Sequence, residues 1–170
     1  MIEILNPTRL LRAKDAGAFV AGILQTLKAR STVGTNLLDI DRWAREMIAE
    51  AGAQSCYVDY APSFGRGPFG HYICTSVNDA VLHGLPYDYP LADGDLLTLD
   101  LAVAKGGVVA DSAVSFLVGG SAPPESVALI NARLSAALVS PTMKLMAESA
   151  AIPSLVMAKS RDSRSPSTSA

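Results

Sequence analysis

The stretch TLDLAVAKGGVVADSAVSF, residues 98–116, constrains the fold more than any other part of the chain. Two runs of β-branched and apolar residues flank a glycine pair, and each run carries one acid, Asp100 and Asp111. In a strand, successive side chains point to opposite faces, so Thr98, Asp100 and Ala102 share one face while Leu97, Leu99, Leu101 and Val103 share the other. In the second run Val109, Asp111, Ala113 and Ser115 travel together. A two-residue turn at Lys105-Gly106 sets the two acids directly opposite each other. A turn at Gly106-Gly107 sets them diagonally, still on one face.

Two carboxylates on neighbouring strands repel, and partial burial adds a desolvation cost. Something positive belongs between them. A divalent cation pair bridged by carboxylates is one answer. A shared proton and a neighbouring Lys or Arg are others, and a plain solvated hairpin face needs none of these. An acid-protease dyad requires D[ST]G contexts, which LDL and ADS do not supply.

The remainder of the chain supplies helices first and strands second. Asn6-Pro7 reads as a cap followed by proline at the first helical position. Phe19, Val20, Ile23, Leu24 and Leu27 recur with helical period, giving a helix over about 7–29. Leu37, Ile40, Trp43, Ala44, Met47 and Ile48 repeat the pattern before Gly52, with Trp43 expected in the core. SCYVDY and YICTSV read as short strands around the loop APSFGRGPFGH. Strands are expected at about 96–103 and 108–118, and a further helix at 124–139. The order predicts an α+β fold with two N-terminal helices packed on a mostly antiparallel sheet. The ending KSRDSRSPSTSA is expected to be disordered.

With 49% hydrophobic and 18% charged residues, 170 residues suffice for one domain with a real core. A net charge of −2 and no Lys/Arg block argue against nucleic-acid or acidic-membrane partners. The N-terminus has no apolar run with a cleavage site, and no window of ~18–20 apolar residues occurs, so a cytoplasmic location is expected. Cys56 and Cys74 lack CxxC spacing and read as buried thiols or pocket linings.

The run YICTSVNDAVLHGLPYDYPLADGDLLTLDLAVAKGGVVADSAVSFLVG resembles type I methionine aminopeptidases. The match rests on CTSVNDAVLHGLP, on L.DGDLLTLDLAV and on the aspartate of ADSAVSFLVG, and covers about residues 1–132. CTSVNDAVLHGLP favours the methionine enzymes over the creatinase-like and prolidase-like relatives of the same fold.

The resemblance implies the N-terminal half of a pita-bread fold, spanning 1–132, with 133–170 as a non-family tail. It implies that Asp100 and Asp111 are carboxylate ligands of a dinuclear site for cobalt, manganese, iron or zinc. It implies that His83 hydrogen-bonds substrate near the scissile peptide. Cys74, Phe69 and Cys56 resemble positions lining the methionine pocket. His71 matches no family position and reads as a loop residue, and Asn78 reads as a tie for the loop before His83.

The implied reaction is metal-dependent hydrolysis of the first peptide bond of nascent peptides that begin with methionine, with the ribosome as an associated partner. The family's later half supplies a histidine and two glutamates to the metals. Beyond Asp111 this chain has only Glu125, Glu148 and Asp162 as acids, and no histidine. The expectation is therefore a truncated member, with self-association covering an exposed half-fold face. The competing expectation is an inactive remnant or a peptide- or protein-binding module.

Overall fold

A computed structural model of the protein describes residues 6–61, 63, 65, 67–121 and 124–139, the last seven by their backbone alone. Helix α1, Pro7–Arg30, begins where the sequence places it: Asn6 Oδ1 accepts the Arg9 N–H at 2.9 Å and Pro7 occupies the first turn. Its buried stripe is Ala13, Ala16, Val20, Ile23, Leu24 and Leu27. The Ser31 N–H and hydroxyl both return to the Leu27 carbonyl and close the helix. Helix α2, Leu37–Glu50, starts on Asn36, whose Oδ1 accepts the Leu38 N–H at 3.0 Å, and buries Leu37, Ile40, Ala44 and Ile48. Gly52, at φ +60°, turns the chain out of it.

Four strands follow: β1, Gln54–Ser55; β2, Cys74–Val77; β3, Leu96–Lys105; and β4, Val108–Leu117. All pairings are antiparallel and all run through β3, with β4 along one edge and β1 and β2 along the other. The β3–β4 turn is Gly106-Gly107, both at positive φ (+60° and +78°), a conformation that matches the twist of a hairpin and that glycine adopts at least cost. This turn selects the diagonal register: Asp100 pairs with Ala113, and Ala102 pairs with Asp111.

The core lies between the helices and one face of the sheet. Leu97, Leu99, Leu101 and Val103 from β3 are fully buried, joined by Val108, Ala110 and Phe116 from β4 and by the stripes of α1 and α2. Burying a leucine side chain stabilises by about 1.5–3 kcal/mol, so this layer dominates the energetics. A last helix, α3, Pro124–Val139, touches β4.

Two expectations need correction. SCYVDY is not a strand, because the Ser55 hydroxyl accepts the N–H groups of Tyr57 and Val58 (3.1 and 3.3 Å) and turns the chain after two strand residues. Trp43 is half-buried at the rim of the core, its ring covered by the Arg30 guanidinium at 3.7 Å. The ending expected to be disordered, residues 159–170, lies outside the described residues. The antiparallel sheet and the helix at 124–139 both form.

The long connector from Asn78 to Asp95 is irregular but tightly held. Asp95 is 6% exposed and accepts hydrogen bonds from the Asn78 side chain (2.9 Å), the Tyr89 hydroxyl (3.0 Å) and the Ala92 N–H (2.8 Å). A buried carboxylate is tolerable only when paired in this way. Asn78 also accepts the Leu96 N–H through Oδ1, so it ties the loop as its sequence context suggests.

Candidate metal centre

The face of β3–β4 turned away from the helices carries Asp100 and Asp111 in the diagonal register. Asp100 is half-buried and Asp111 is exposed at the edge of the same face. Burial, then the charge of Asp100 and a hydrogen bond with it, raise the Asp111 pKa above the ordinary carboxylate value, while nearby His83 pulls it down. The two carboxyl groups therefore interact directly.

β2 completes the floor. Cys74 lies directly across from Asp100. Burial and the two carboxylates push its thiol up to about 12, so it stays protonated at neutral pH. Cys56 extends the β1 end of the ladder, its N–H donating to the Ala102 carbonyl at 3.1 Å. The two cysteines are free thiols.

His83 is placed by the glycine that follows it. Gly84 donates its N–H to the Ser76 hydroxyl (3.1 Å), and its carbonyl accepts the Thr75 N–H (2.8 Å). A side chain at Gly84 would run into the Thr75 carbonyl oxygen and come within 2.8 Å of Ser76 Cα. That close approach presses the loop onto β2 and holds exposed His83 at φ +54°, a left-handed conformation uncommon outside glycine. Strain of this kind persists only where surrounding contacts impose it.

Phe69 is half-buried and packs edge-on against Tyr57, with ring centroids 5.9 Å apart. The Tyr57 hydroxyl donates to Asp100 Oδ1 at 3.1 Å. Burial first, then the negative charge of Asp100 and Asp111, raise the phenol's pKa, which keeps the donor proton in place. Sequence reasoning passed over Tyr57. Its signal was local: a serine two residues upstream, able to turn the chain so that the tyrosine leaves the ladder.

His71 is more than a loop residue. Its Nδ1 lies 3.1 Å from Asp41 Oδ2 while Asp41 Oδ1 accepts the Tyr72 N–H at 2.7 Å, fastening the loop to α2. Its ring also packs edge-on against Phe69, with centroids 5.8 Å apart.

Convergent carboxylate oxygens at a half-open face form the donor type that divalent cations take, and the repulsion evident at Asp111 is the cost a cation would relieve. Among the described residues no group of three or more His, Cys, Asp and Glu side chains gathers into a cation site. The donor chemistry fits a metal, and these residues make one side of its shell.

Residues 12–147 match the model of metallopeptidase family M24, and the chain belongs to that family. Within it, the chain is similar to the methionine aminopeptidase of Helicobacter pylori, 33% identical over 125 residues, which are 73% of this chain and 47% of the relative. It is 35% identical over 119 residues to that of Mycoplasma capricolum, covering 70% and 45%. The crystal structure of the methionine aminopeptidase from Rickettsia prowazekii superposes with a TM-score of 0.72 at 25% identity, over 81% of this chain and 53% of that one. The chain thus spans about half the length of the relatives it matches. No helix among the described residues is long and apolar enough to cross a membrane.

Proposed function

We propose that this chain provides the dicarboxylate half of a metal-dependent methionine aminopeptidase centre. The observation that carries the reading is the diagonal placement of Asp100 and Asp111 on the open face, where burial and the charge of Asp100 together raise the Asp111 pKa.

In this reading Asp100 and Asp111 hold divalent metal, drawn from cobalt, manganese, iron or zinc. The metal supplies a polarised carbonyl and water made more acidic at neutral pH. The remaining work belongs to the chain. His83, braced over β2 by Gly84, donates or accepts a hydrogen bond at the peptide next to the scissile bond. Cys74, a neutral thiol, and Phe69, with Cys56 beside them, offer a soft apolar wall to a methionine side chain. The substrates are peptides beginning with methionine, met as nascent chains in the cytoplasm, and the site-bearing part lies within residues 1–132.

A second reading is favoured by the incomplete ligand set: a half-domain that binds peptide without turnover. Calorimetric titration of Mn²⁺ into the purified chain, with turnover of a Met-Ala-Ser peptide measured alongside, tests both. Mn²⁺ binding that disappears in Asp100→Asn and Asp111→Asn, with release of methionine, is the expected result. Binding of metal and peptide without release leaves only the second reading, and absence of Mn²⁺ binding overturns the metal centre.

A further inference from the structure

The Tyr57 hydroxyl donates to Asp100 from outside the acid pair, and nothing in the proposed reaction uses it. Its backbone and its ring are both held. The Ser55 hydroxyl fixes its backbone by accepting the Tyr57 and Val58 N–H groups. The edge of Phe69 packs on its ring, and the Phe69 backbone is itself anchored, its N–H donating to the Tyr60 carbonyl at 2.8 Å and the Gly70 N–H to the Val58 carbonyl at 3.0 Å. Behind Phe69 stands His71, fastened to Asp41 of α2. A continuous set of contacts therefore runs from helix α2 through His71, Phe69 and Tyr57 to one oxygen of Asp100.

A carboxylate facing another carboxylate turns away about its soft side-chain torsions unless something holds it. A fixed hydroxyl donor does so without adding charge, and hydrogen-bond partners of metal-ligating groups set their orientation and affinity. We infer that Tyr57 is a positioning residue for the metal centre: its hydroxyl holds Asp100 toward Asp111, so that the pair is assembled before a cation arrives. The inference rests on the metal reading of Asp100 and Asp111. A buried tyrosine hydroxyl needs a partner in any case. The alternative is therefore that Asp100 merely satisfies Tyr57.

The two are separated by Mn²⁺ titration of the full chain and its Tyr57→Phe, Tyr57→Leu and Asp111→Asn variants, each paired with a thermal melt without metal. Phenylalanine keeps the ring against Phe69 and removes only the hydroxyl. Positioning predicts that Phe and Leu weaken Mn²⁺ binding equally, by about tenfold, although only Leu lowers the melting temperature substantially. It also predicts that Mn²⁺ perturbs a near-ultraviolet tyrosine band in the parent chain that is missing in Tyr57→Phe. Parental Mn²⁺ affinity in Tyr57→Phe, with binding lost in Asp111→Asn, overturns the role of Tyr57 and leaves the metal site standing. Failure of the parent chain to bind Mn²⁺, or undiminished binding in Asp111→Asn, removes the metal site and the inference with it.

Discussion

The two faces of the β3–β4 ladder are built from the same twenty residues and obey opposite rules. On the helix side, Leu97, Leu99, Leu101 and Val103 are completely enclosed, and each neighbour supports the next. On the other side, Asp100 and Asp111 oppose each other, Thr98 and Ser115 share a hydrogen bond at 2.8 Å, and the surface stays half open. The difference separates two uses of one alternating pattern. The odd-numbered positions of β3 stabilise the fold, and that stability lets the even-numbered positions hold an arrangement that would not assemble by itself.

The contrast is broken most severely from the enclosed side. Leu99→Ala is expected to destabilise the fold by about 2–5 kcal/mol, because the cavity it leaves lies at the centre of the packed layer. Denaturant unfolding measures this. A loss under 1 kcal/mol would mean that the enclosed face is not what supports the open one.

Gly84→Ala acts through the junction between the faces. A methyl group there collides with β2, so the loop must lift, and a cost of about 1–3 kcal/mol is expected together with a shifted His83 imidazole resonance. An unmoved resonance would show that His83 is not placed by that close approach.

The smallest effect is the most specific. The folded-state pKa of Asp111 is raised, so the metal-free folded chain holds its proton more tightly than the unfolded chain does. Its contribution to stability is therefore greatest below the ordinary aspartate value of 3.8 and is lost as pH climbs past it through the raised value. Asp111→Asn should flatten that decline in a series of melts across the acidic range. An identical slope in parent and variant would mean that the fold does not raise the Asp111 pKa.

Much of this was readable from the chain. The alternation around KGG announced the hairpin, and once both glycines form the turn the diagonal register follows without reference to anything distant. The capping residue Asn6 acts locally and was equally legible, whereas the same role of Asn36 was not read from the sequence. Tyr57 and His71 were not. The first reaches its site because Ser55 interrupts a strand-like sequence, and the second gains its purpose from Asp41, thirty residues earlier on a helix. Trp43 fits a helical stripe as well as any core residue, yet the Arg30 side chain covers it at the rim. Periodicity reports which face a residue takes, and it is silent about which side chain arrives to meet it.

The carboxylate at Asp95 gathers three donors from separate points of an otherwise irregular connector. That segment consequently has a fixed gauge at its two ends, and the Gly84 contacts with Thr75 and Ser76 pin it once more in between. Extra residues inserted between Ala80 and Leu82, which are exposed, would bulge outward, whereas a single insertion between Tyr89 and Asp95 would pull donors off the knot. Length variation in natural or engineered versions of this chain should respect that boundary.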